Sequence, residues 1–128
     1  GMQLFSTVSY ENGEHKGLDW IAGSVKKIEN SYKSDQTLRL PHMGWNDTEN
    51  NSKSVLMRGL GSKSIFYFVH TYHFIPDSKN VISSTSNYGS TIVASVEKNN
   101  IFGVQFHPEK SDIHGKQILK NFLKTEQC

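Results

Sequence analysis

Residues 103–111 read Gly-Val-Gln-Phe-His-Pro-Glu-Lys-Ser and hold the strongest structural and chemical pattern in the chain. A strand-like run ends at His107, and Glu109 follows two positions later across a proline. Side chains two apart on an extended backbone point to the same side, and Pro108 keeps the preceding residue extended. A carboxylate beside an imidazole selects the tautomer of the ring, as a nucleophile's general base requires. His107 and Glu109 are therefore either a catalytic pair or a local ion pair at an ordinary strand end.

Outward from this stretch, the patterns predict strands mixed with a helix near each end, which favours an α/β sandwich. Two strands, Thr91–Glu97 and Ile101–Phe106, are joined by three polar residues and predict an antiparallel hairpin, because Asn tolerates positive φ. A helix begins at Asp112, with the apolar stripe Ile118, Leu119, Phe122 and Leu123. The other predicted elements are a helix over Met2–Ser9, strands over Ser24–Ile28, Thr37–Leu40, Ile65–Val69 and Val81–Ser84, and irregular connections over His42–Asn46, Asp47–Ser54 and Thr71–Asn80. The Ile65–Val69 run is expected to be covered on both faces.

Composition narrows the class of protein. A length of 128 residues, 35% apolar and 20% charged, suggests one soluble globular domain. No apolar run approaches the roughly 18 residues of a membrane span, so no membrane partner is expected. The single cysteine, Cys128, fits a reducing compartment, and we expect a cytoplasmic protein. The net charge is only +2 with scattered lysines, which argues against a nucleic-acid partner.

Metal binding needs consideration because the chain has six histidines and the spacing His70-x-x-His73. Positions three apart on a strand face opposite sides, and no carboxylate lies at a useful spacing. We therefore expect no metal site, and nothing in the sequence suggests a cofactor.

Five segments together show a family resemblance in order and spacing. They are Gly1-Met2-Gln3, Pro41-His42-Met43-Gly44-Trp45-Asn46, Phe66 through Tyr72, Tyr88-Gly89, and Gly103 through Ser111. The chain resembles the class I (triad) glutamine amidotransferases, in particular the glutaminase subunit of imidazole glycerol phosphate synthase and its surface-sugar relatives. The resemblance implies a flavodoxin-like α/β sandwich with a mixed sheet, a C-terminal antiparallel hairpin and a final helix. Residues 1–128 would form a partial domain, the C-terminal two-thirds of the whole.

The resemblance also implies roles for the residues of the site. His107 would be the base that activates a cysteine nucleophile, and Glu109 would orient it. Gln3 and Glu11 match positions that hold the substrate glutamine, and backbone amides of His70, Thr71 and Tyr72 would meet its other end. Read without the family, Gln3 and Glu11 are simply exposed polar residues of a helix.

A partner surface is implied in the same way. Trp45, Tyr67 and Lys110 match positions that face a (β/α)8-barrel cyclase subunit, into which ammonia passes. The alternative is that Trp45 and Tyr67 are core or rim aromatics and that Lys110 is a solvated charge.

The nucleophile is where the sequence departs from the family. The family's elbow reads Gly-x-Cys-x-Gly-x-Gln; Gly1 and Gln3 match its end, so the cysteine would lie two residues before Gly1. Cys128, after the final helix, cannot stand in. We therefore expect a glutaminase chain that is inactive by itself, without its N-terminal strands and nucleophile elbow. Open sheet edges and an apolar face would then be covered by dimerisation or strand swapping.

Two questions stay open at this point. The competing function is a non-catalytic interaction module that docks on a barrel partner or self-associates. The ammonia acceptor, in histidine biosynthesis or in surface-sugar synthesis, is not specified by the sequence.

Overall fold

Two β-sheets and a C-terminal helix build the protein. The computed structural model describes residues 2–11, 13–29 and 40–125. Within these residues the strands are β1 (Val8–Ser9), β2 (His15–Lys16), β3 (Gly23–Lys27), β4 (His42–Asn50), β5 (Lys63–His70), β6 (Tyr72–Pro76), β7 (Ile82–Asn87), β8 (Thr91–Lys98) and β9 (Ile101–Val104). Short 3-10 helices span Met2–Phe5, Lys79–Val81 and Pro108–Lys110, and the helix α1 spans Asp112–Thr125.

The two sheets differ in strand direction. The small sheet has the order β2-β1-β3-β6; its β1–β3 pair is parallel and its other pairs are antiparallel. The large sheet has the order β5-β4-β7-β8-β9 and is antiparallel throughout. The chain passes from one sheet to the other at Thr71, between β5 and β6. The end of β5 therefore lies where the two sheets meet.

Two apolar clusters form the core, and β8 contributes to both. One cluster places Phe66, Phe68 and Phe106 with Ala94 of β8 and Ile118 of α1. The other joins Met2, Ile21, Val25 and Phe74 to Val93 and Val96 of β8. Residues Ile92–Val96 are all buried, so β8 is covered on both faces.

The expectation of two covered faces was wrong for Ile65–Val69. In β5 the side chains of Phe66 and Phe68 are fully buried, whereas Ile65 is 44% exposed and Tyr67 is half-buried. The period of two in a strand explains this alternation, because successive residues point to opposite faces. The aromatic run was strand-forming, but only its even positions are core.

The C-terminal predictions are confirmed in outline. β8 and β9 form the antiparallel hairpin, with Lys98 opposite Ile101 and with Asn99 at a φ of 55° in the turn. The helix begins at Asp112 as predicted. Of its apolar stripe, Ile118 is buried, whereas Leu119, Phe122 and Leu123 are 47%, 37% and 57% exposed.

Four local predictions were wrong because distant pairing overrides local preference. His42–Asn46 was predicted to be irregular but begins β4, which pairs with β5 from His42–His70 to Glu49–Lys63. Asp47–Ser54 is strand as far as Asn50, and Thr71–Asn80 contains β6, which pairs with β3. The predicted helix over Met2–Ser9 is a 3-10 turn that gives way to β1. The predicted strand Thr37–Leu40 falls mostly outside the described residues.

Strands Ser24–Ile28 and Val81–Ser84 were predicted close to their observed positions, β3 and β7. In the described part of the chain, no helix combines the length and the apolar character that crossing a membrane would require.

Candidate active site

An open cleft of about 470 Å³ lies where the ends of the two sheets meet. Three segments that are far apart in sequence form its walls: the N-terminal 3-10 turn with Glu11, the β5–β6 junction, and the end of β9 with the residues after it. The lining residues are Met2, Gln3, Glu11, Val69, His70, Thr71, Tyr72, Val104, Gln105, Phe106 and His107. The six substrate and base residues suggested by the resemblance, Gln3, Glu11, His70, Thr71, Tyr72 and His107, thus share one cleft.

His107 and Glu109 form the expected pair. Nδ1 of His107 lies 2.8 Å from Oε1 of Glu109, and the two side chains are 39% and 61% exposed. His107 is extended, with φ −100° and ψ 98°, and Pro108 opens the following 3-10 helix. An ionised carboxylate only accepts, so Nδ1 carries the hydrogen and Nε2 of the neutral ring is left as the basic atom.

The charge on Glu109 is favoured. Its carboxylate interacts with its own backbone N–H and with the His107 ring, and these contacts hold the pKa of Glu109 below its usual 4.5. At neutral pH the carboxylate is therefore ionised and stabilises a positive charge on the ring. This is the electrostatic arrangement that a general base next to a nucleophile needs.

Residues 107–114, called here the edge segment, hold this pair against β5. The backbone N–H of His107 donates to the Tyr67 carbonyl at 2.9 Å. Oγ of the buried Ser111 accepts from the Tyr67 N–H at 2.9 Å and donates to the His107 carbonyl at 2.6 Å. Nδ1 of His114 lies 3.1 Å from both the backbone nitrogen and the carbonyl oxygen of Ile65. The edge segment thus occupies the backbone groups of β5 that another strand would use.

Gln3 is not the exposed helix polar residue of the alternative reading. Its Nε2 donates to the Tyr72 carbonyl at 2.9 Å and to Oε1 of Gln105 at 3.0 Å, and the residue is half-buried. Both amide hydrogens are therefore used within the cleft wall, and Oε1 is the atom left to accept. Glu11 is exposed at the cleft, so its carboxylate supplies negative charge there.

Trp45, Tyr67 and Lys110 lie together on the outer side of β4 and β5 and are called here the aromatic face. The rings of Trp45 and Tyr67 make an edge contact at 5.9 Å, and Nζ of Lys110 lies 5.9 Å from the Tyr67 ring centre. Trp45 is 56% exposed, so it is not a core residue. Its neighbours Met43 and Ile65 are also exposed.

A buried histidine pair was missed in the sequence. Nδ1 of His42 lies 2.8 Å from Nε2 of His70, and the His42 ring stacks between Phe68 and Tyr88. Burial, with a smaller contribution from His70, lowers the pKa of His42 to about 4, and burial also lowers the pKa of His70. The pair depends on the register of β4 against β5, which no local pattern shows. The shared face of His42 and Asn46, four residues apart in a strand, was the one available signal.

The described residues contain no group of three or more His, Cys, Asp and Glu side chains that could hold a metal ion. His73 is buried on β6, and burial lowers its pKa. Its Nδ1 has no hydrogen-bond partner within the described part of the chain.

Comparison with known proteins agrees with the geometry. Residues 1–125 match the family model "Glutamine amidotransferase class-I". The chain is 53% identical over 123 residues to the imidazole glycerol phosphate synthase subunit HisH of Pelagibacter ubique, a match that covers 96% of this chain and 58% of that protein. It is 41% identical to the subunit of the same name from Moorella thermoacetica, covering 95% of this chain and 55% of that protein. The chain therefore spans little more than half the length of these relatives.

A solved structure supports the fold. The crystal structure of a Thermoplasma acidophilum protein, described as a GMP synthase subunit, superposes with a TM-score of 0.61 at 20% identity. The superposition covers 80% of this chain and 47% of that one. With the family match across nearly its whole length, the chain belongs to the class I glutamine amidotransferases.

Proposed function

We propose that the whole protein is the glutaminase subunit of an imidazole glycerol phosphate synthase. It hydrolyses glutamine to glutamate and delivers the ammonia to a synthase partner. The observation that carries the proposal is the His107–Glu109 pair, joined at 2.8 Å at a cleft that also holds Gln3 and Glu11. The HisH relatives, up to 53% identical, support the choice of synthase over surface-sugar enzymes.

The proposed reaction uses the free nitrogen of His107. Nε2 takes the proton of a cysteine thiol, the thiolate attacks the side-chain amide carbon of glutamine, and the C–N bond breaks. The leaving nitrogen takes the proton from the imidazolium and departs as ammonia. Water then attacks the thioester while His107 takes its proton; the C–S bond breaks, glutamate is released, and the imidazolium returns the proton to the cysteine thiolate. Glu109 stabilises the imidazolium in both steps because its carboxylate stays ionised.

Substrate binding follows from the charges and acceptors of the cleft. The α-ammonium group of glutamine is cationic, and Glu11 supplies an anionic side chain at the cleft. Gln3 Oε1 is available as an acceptor, because the two N–H groups of that amide are engaged by Tyr72 and Gln105. The backbone at His70, Thr71 and Tyr72 also lines the cleft. We propose that it contacts the other end of the substrate.

The aromatic face is our proposed docking surface for the synthase's (β/α)8-barrel subunit. Exposed tryptophan and tyrosine beside a cation are typical of interface hot spots. The face is also close to the base, because the Tyr67 carbonyl accepts the His107 N–H. A docked barrel would therefore contact the strand that holds the catalytic pair. We place this activity in the cytoplasm, which the single cysteine of the sequence favours.

The test replaces Glu109 by Gln in the whole protein and measures glutamate release with the barrel subunit present. Gln keeps an acceptor for Nδ1 but removes the charge, so kcat should fall by on the order of 10²-fold or more, with KM for glutamine little changed. Glu14→Gln, an exposed carboxylate outside the cleft, is the matched control and should retain full activity.

Two results would contradict the proposal. An unchanged kcat in Glu109→Gln would remove the catalytic role of the pair. A wild-type protein that binds the barrel and releases no glutamate would instead support the non-catalytic interaction module. That these 128 residues are inactive by themselves stays a prediction.

A further inference from the structure

A line of hydrogen bonds runs from the cleft wall through β5 to β4 and beyond. Nδ1 of His70 lies 2.9 Å from the Tyr72 carbonyl, and its Nε2 lies 2.8 Å from Nδ1 of His42. Nε2 of His42 lies 3.0 Å from Nδ2 of Asn46, which also reaches the Asn87 carbonyl at 2.9 Å. Both nitrogens of each imidazole therefore take part in a hydrogen bond.

The donor and acceptor roles are fixed at the two ends of this line of hydrogen bonds. The carbonyls of Tyr72 and Asn87 can only accept. The Asn46 amide cannot be turned around, because its Oδ1 accepts the backbone N–H of Asp47 at 2.8 Å. Its Nδ2 must therefore face both His42 and the Asn87 carbonyl and donate to each.

Counting hydrogens then determines both tautomers. The four contacts need one hydrogen each; the Asn46 amide supplies two, which leaves one for each imidazole. His70 must carry its hydrogen on Nδ1 to reach Tyr72, so its Nε2 accepts and His42 must also be protonated on Nδ1. An additional proton on either ring would place two N–H groups face to face.

The wall of the cleft depends on the hydrogen bond between His70 and the Tyr72 carbonyl. The Tyr72 carbonyl accepts from His70 and also from Nε2 of Gln3, whose other hydrogen goes to Gln105. If His42 did not donate to Nε2 of His70, that nitrogen could carry the hydrogen itself. Nδ1 would then stop donating to Tyr72, and the carbonyl that anchors Gln3 would lose one of its two partners.

We infer that His42 is a positioning residue for glutamine binding: as the neutral Nδ1–H tautomer it holds His70 in the same tautomer and so keeps the Tyr72 carbonyl and the Gln3 amide in place. The inference rests on the proposed function. His42 itself does not line the cleft and is only 2% exposed. It acts entirely through His70.

The tautomers can be read directly by ¹⁵N NMR of the histidine-labelled whole protein at neutral pH. Both His42 and His70 should be protonated on Nδ1 and bare on Nε2, whereas a free imidazole in water prefers the opposite tautomer. Each signal is assigned by its disappearance in a single variant. An Nε2–H tautomer, or an imidazolium, at either residue would overturn the inference whatever the activity of the protein.

The kinetic test uses two substitutions at position 42. His42→Phe keeps a ring between Phe68 and Tyr88, at the present centroid distances of 4.7 and 4.3 Å, but has no donor. His42→Asn loses the ring but places an amide N–H near the former Nδ1. His42→Phe should raise KM for glutamine by about 10-fold, the cost of one buried group left unpaired, with a much smaller change in kcat. His42→Asn should recover most of the affinity.

His15→Phe, the same replacement at an exposed histidine outside the cleft, is the control. Unchanged KM in His42→Phe, or a lower affinity in His42→Asn than in His42→Phe, would overturn the positioning role. If the wild-type protein released no glutamate at all, the proposed function would fail, while the NMR spectrum would still decide the tautomers.

Discussion

At the scale of single residues, three buried histidines make the protein sensitive to acid. Burial lowers the pKa values of His42, His70 and His73, whereas in the unfolded chain each returns to about 6.5. Below that pH the unfolded state binds more protons than the folded state, so the free energy of unfolding must fall as the pH falls. For His42 this loss continues down to a pH of about 4.

We predict a lower free energy of unfolding at pH 5 than at pH 7, by up to about 1.4 kcal/mol per pH unit for each of these histidines. Urea denaturation at several pH values measures it. His73→Leu should weaken the dependence of stability on pH, because it removes one of the three buried rings. The Nδ1 of His73 has no partner to lose among the described residues. A nearby Glu29 partly offsets the effect of burial at His73, so this residue should contribute less than His42. Equal stability at pH 5 and pH 7 would show that these rings are not neutral in the folded state.

Residue roles were predictable only where the partners are neighbours in the chain. His107 and Glu109 are only two residues apart, so the sequence could pair them, although Glu109 lies in the 3-10 helix Pro108–Lys110 and not on the extended backbone that we expected. Gln3 bonds to Tyr72 and Gln105, which are 69 and 102 residues away, and only the family resemblance suggested its place. His42 and His70 meet through strand register, so neither composition nor spacing could have paired them.

At the scale of elements, the edge segment connects the end of the large sheet to the helix α1. Ser111 is its central contact, because one hydroxyl satisfies the Tyr67 N–H and the His107 carbonyl. Gly115 permits the close approach of α1 to the Pro108 carbonyl. A Cβ there would clash with the Pro108 carbonyl oxygen, so any other residue would push α1 away from Pro108.

Ser111→Ala should therefore lower the free energy of unfolding by roughly 1–3 kcal/mol, because the hydroxyl is buried and the Tyr67 N–H is left without its partner. It should also lower kcat more than it raises KM for glutamine, since His107 loses a support and the binding wall does not. Ser52→Ala, an exposed serine, is the matched control for denaturation and kinetics. Wild-type stability in Ser111→Ala would mean that water or another group replaces the hydroxyl.

Elements were predictable where local sequence and distant pairing agree. The β8–β9 hairpin was predicted because Asn99 provides the positive φ of its turn. β4 was missed because Gly44 and Asn46 are poor strand formers, and the strand exists through its eight pairs with β5. The stripe on α1 was found by its period, but the period does not tell which of its residues are covered.

At the scale of the whole molecule, β5 joins two surfaces. Its C-terminal end, at His70, forms part of the cleft, and Tyr67 projects into the aromatic face. The Tyr67 carbonyl accepts the His107 N–H, and the Tyr67 N–H is linked through the Ser111 hydroxyl to the His107 carbonyl. A partner on the aromatic face would therefore contact the strand that positions His107, the proposed base. Dimerisation or strand swapping that covers open sheet edges and an apolar face stays a prediction.

Trp45→Ala should weaken binding of the proposed barrel subunit by at least about 30-fold, the loss typical of an interface hot spot. Trp20→Ala is a matched control, because Trp20 is exposed to a similar degree, 51% against 56%, and stacks on Phe5 outside the aromatic face. Calorimetric titration of the barrel into each variant gives the dissociation constants. Equal affinities for the two variants would place the docking surface elsewhere.

The most direct measurement of the central claim is glutamate release from glutamine by the whole protein with the proposed barrel subunit, compared with the Glu109→Gln variant at neutral pH. We predict glutamate and ammonia in equal amounts from the wild type and a kcat lower by on the order of 10²-fold or more in the variant. No glutamate from the wild type, or the same rate from both proteins, would contradict a glutaminase that works through the His107–Glu109 pair.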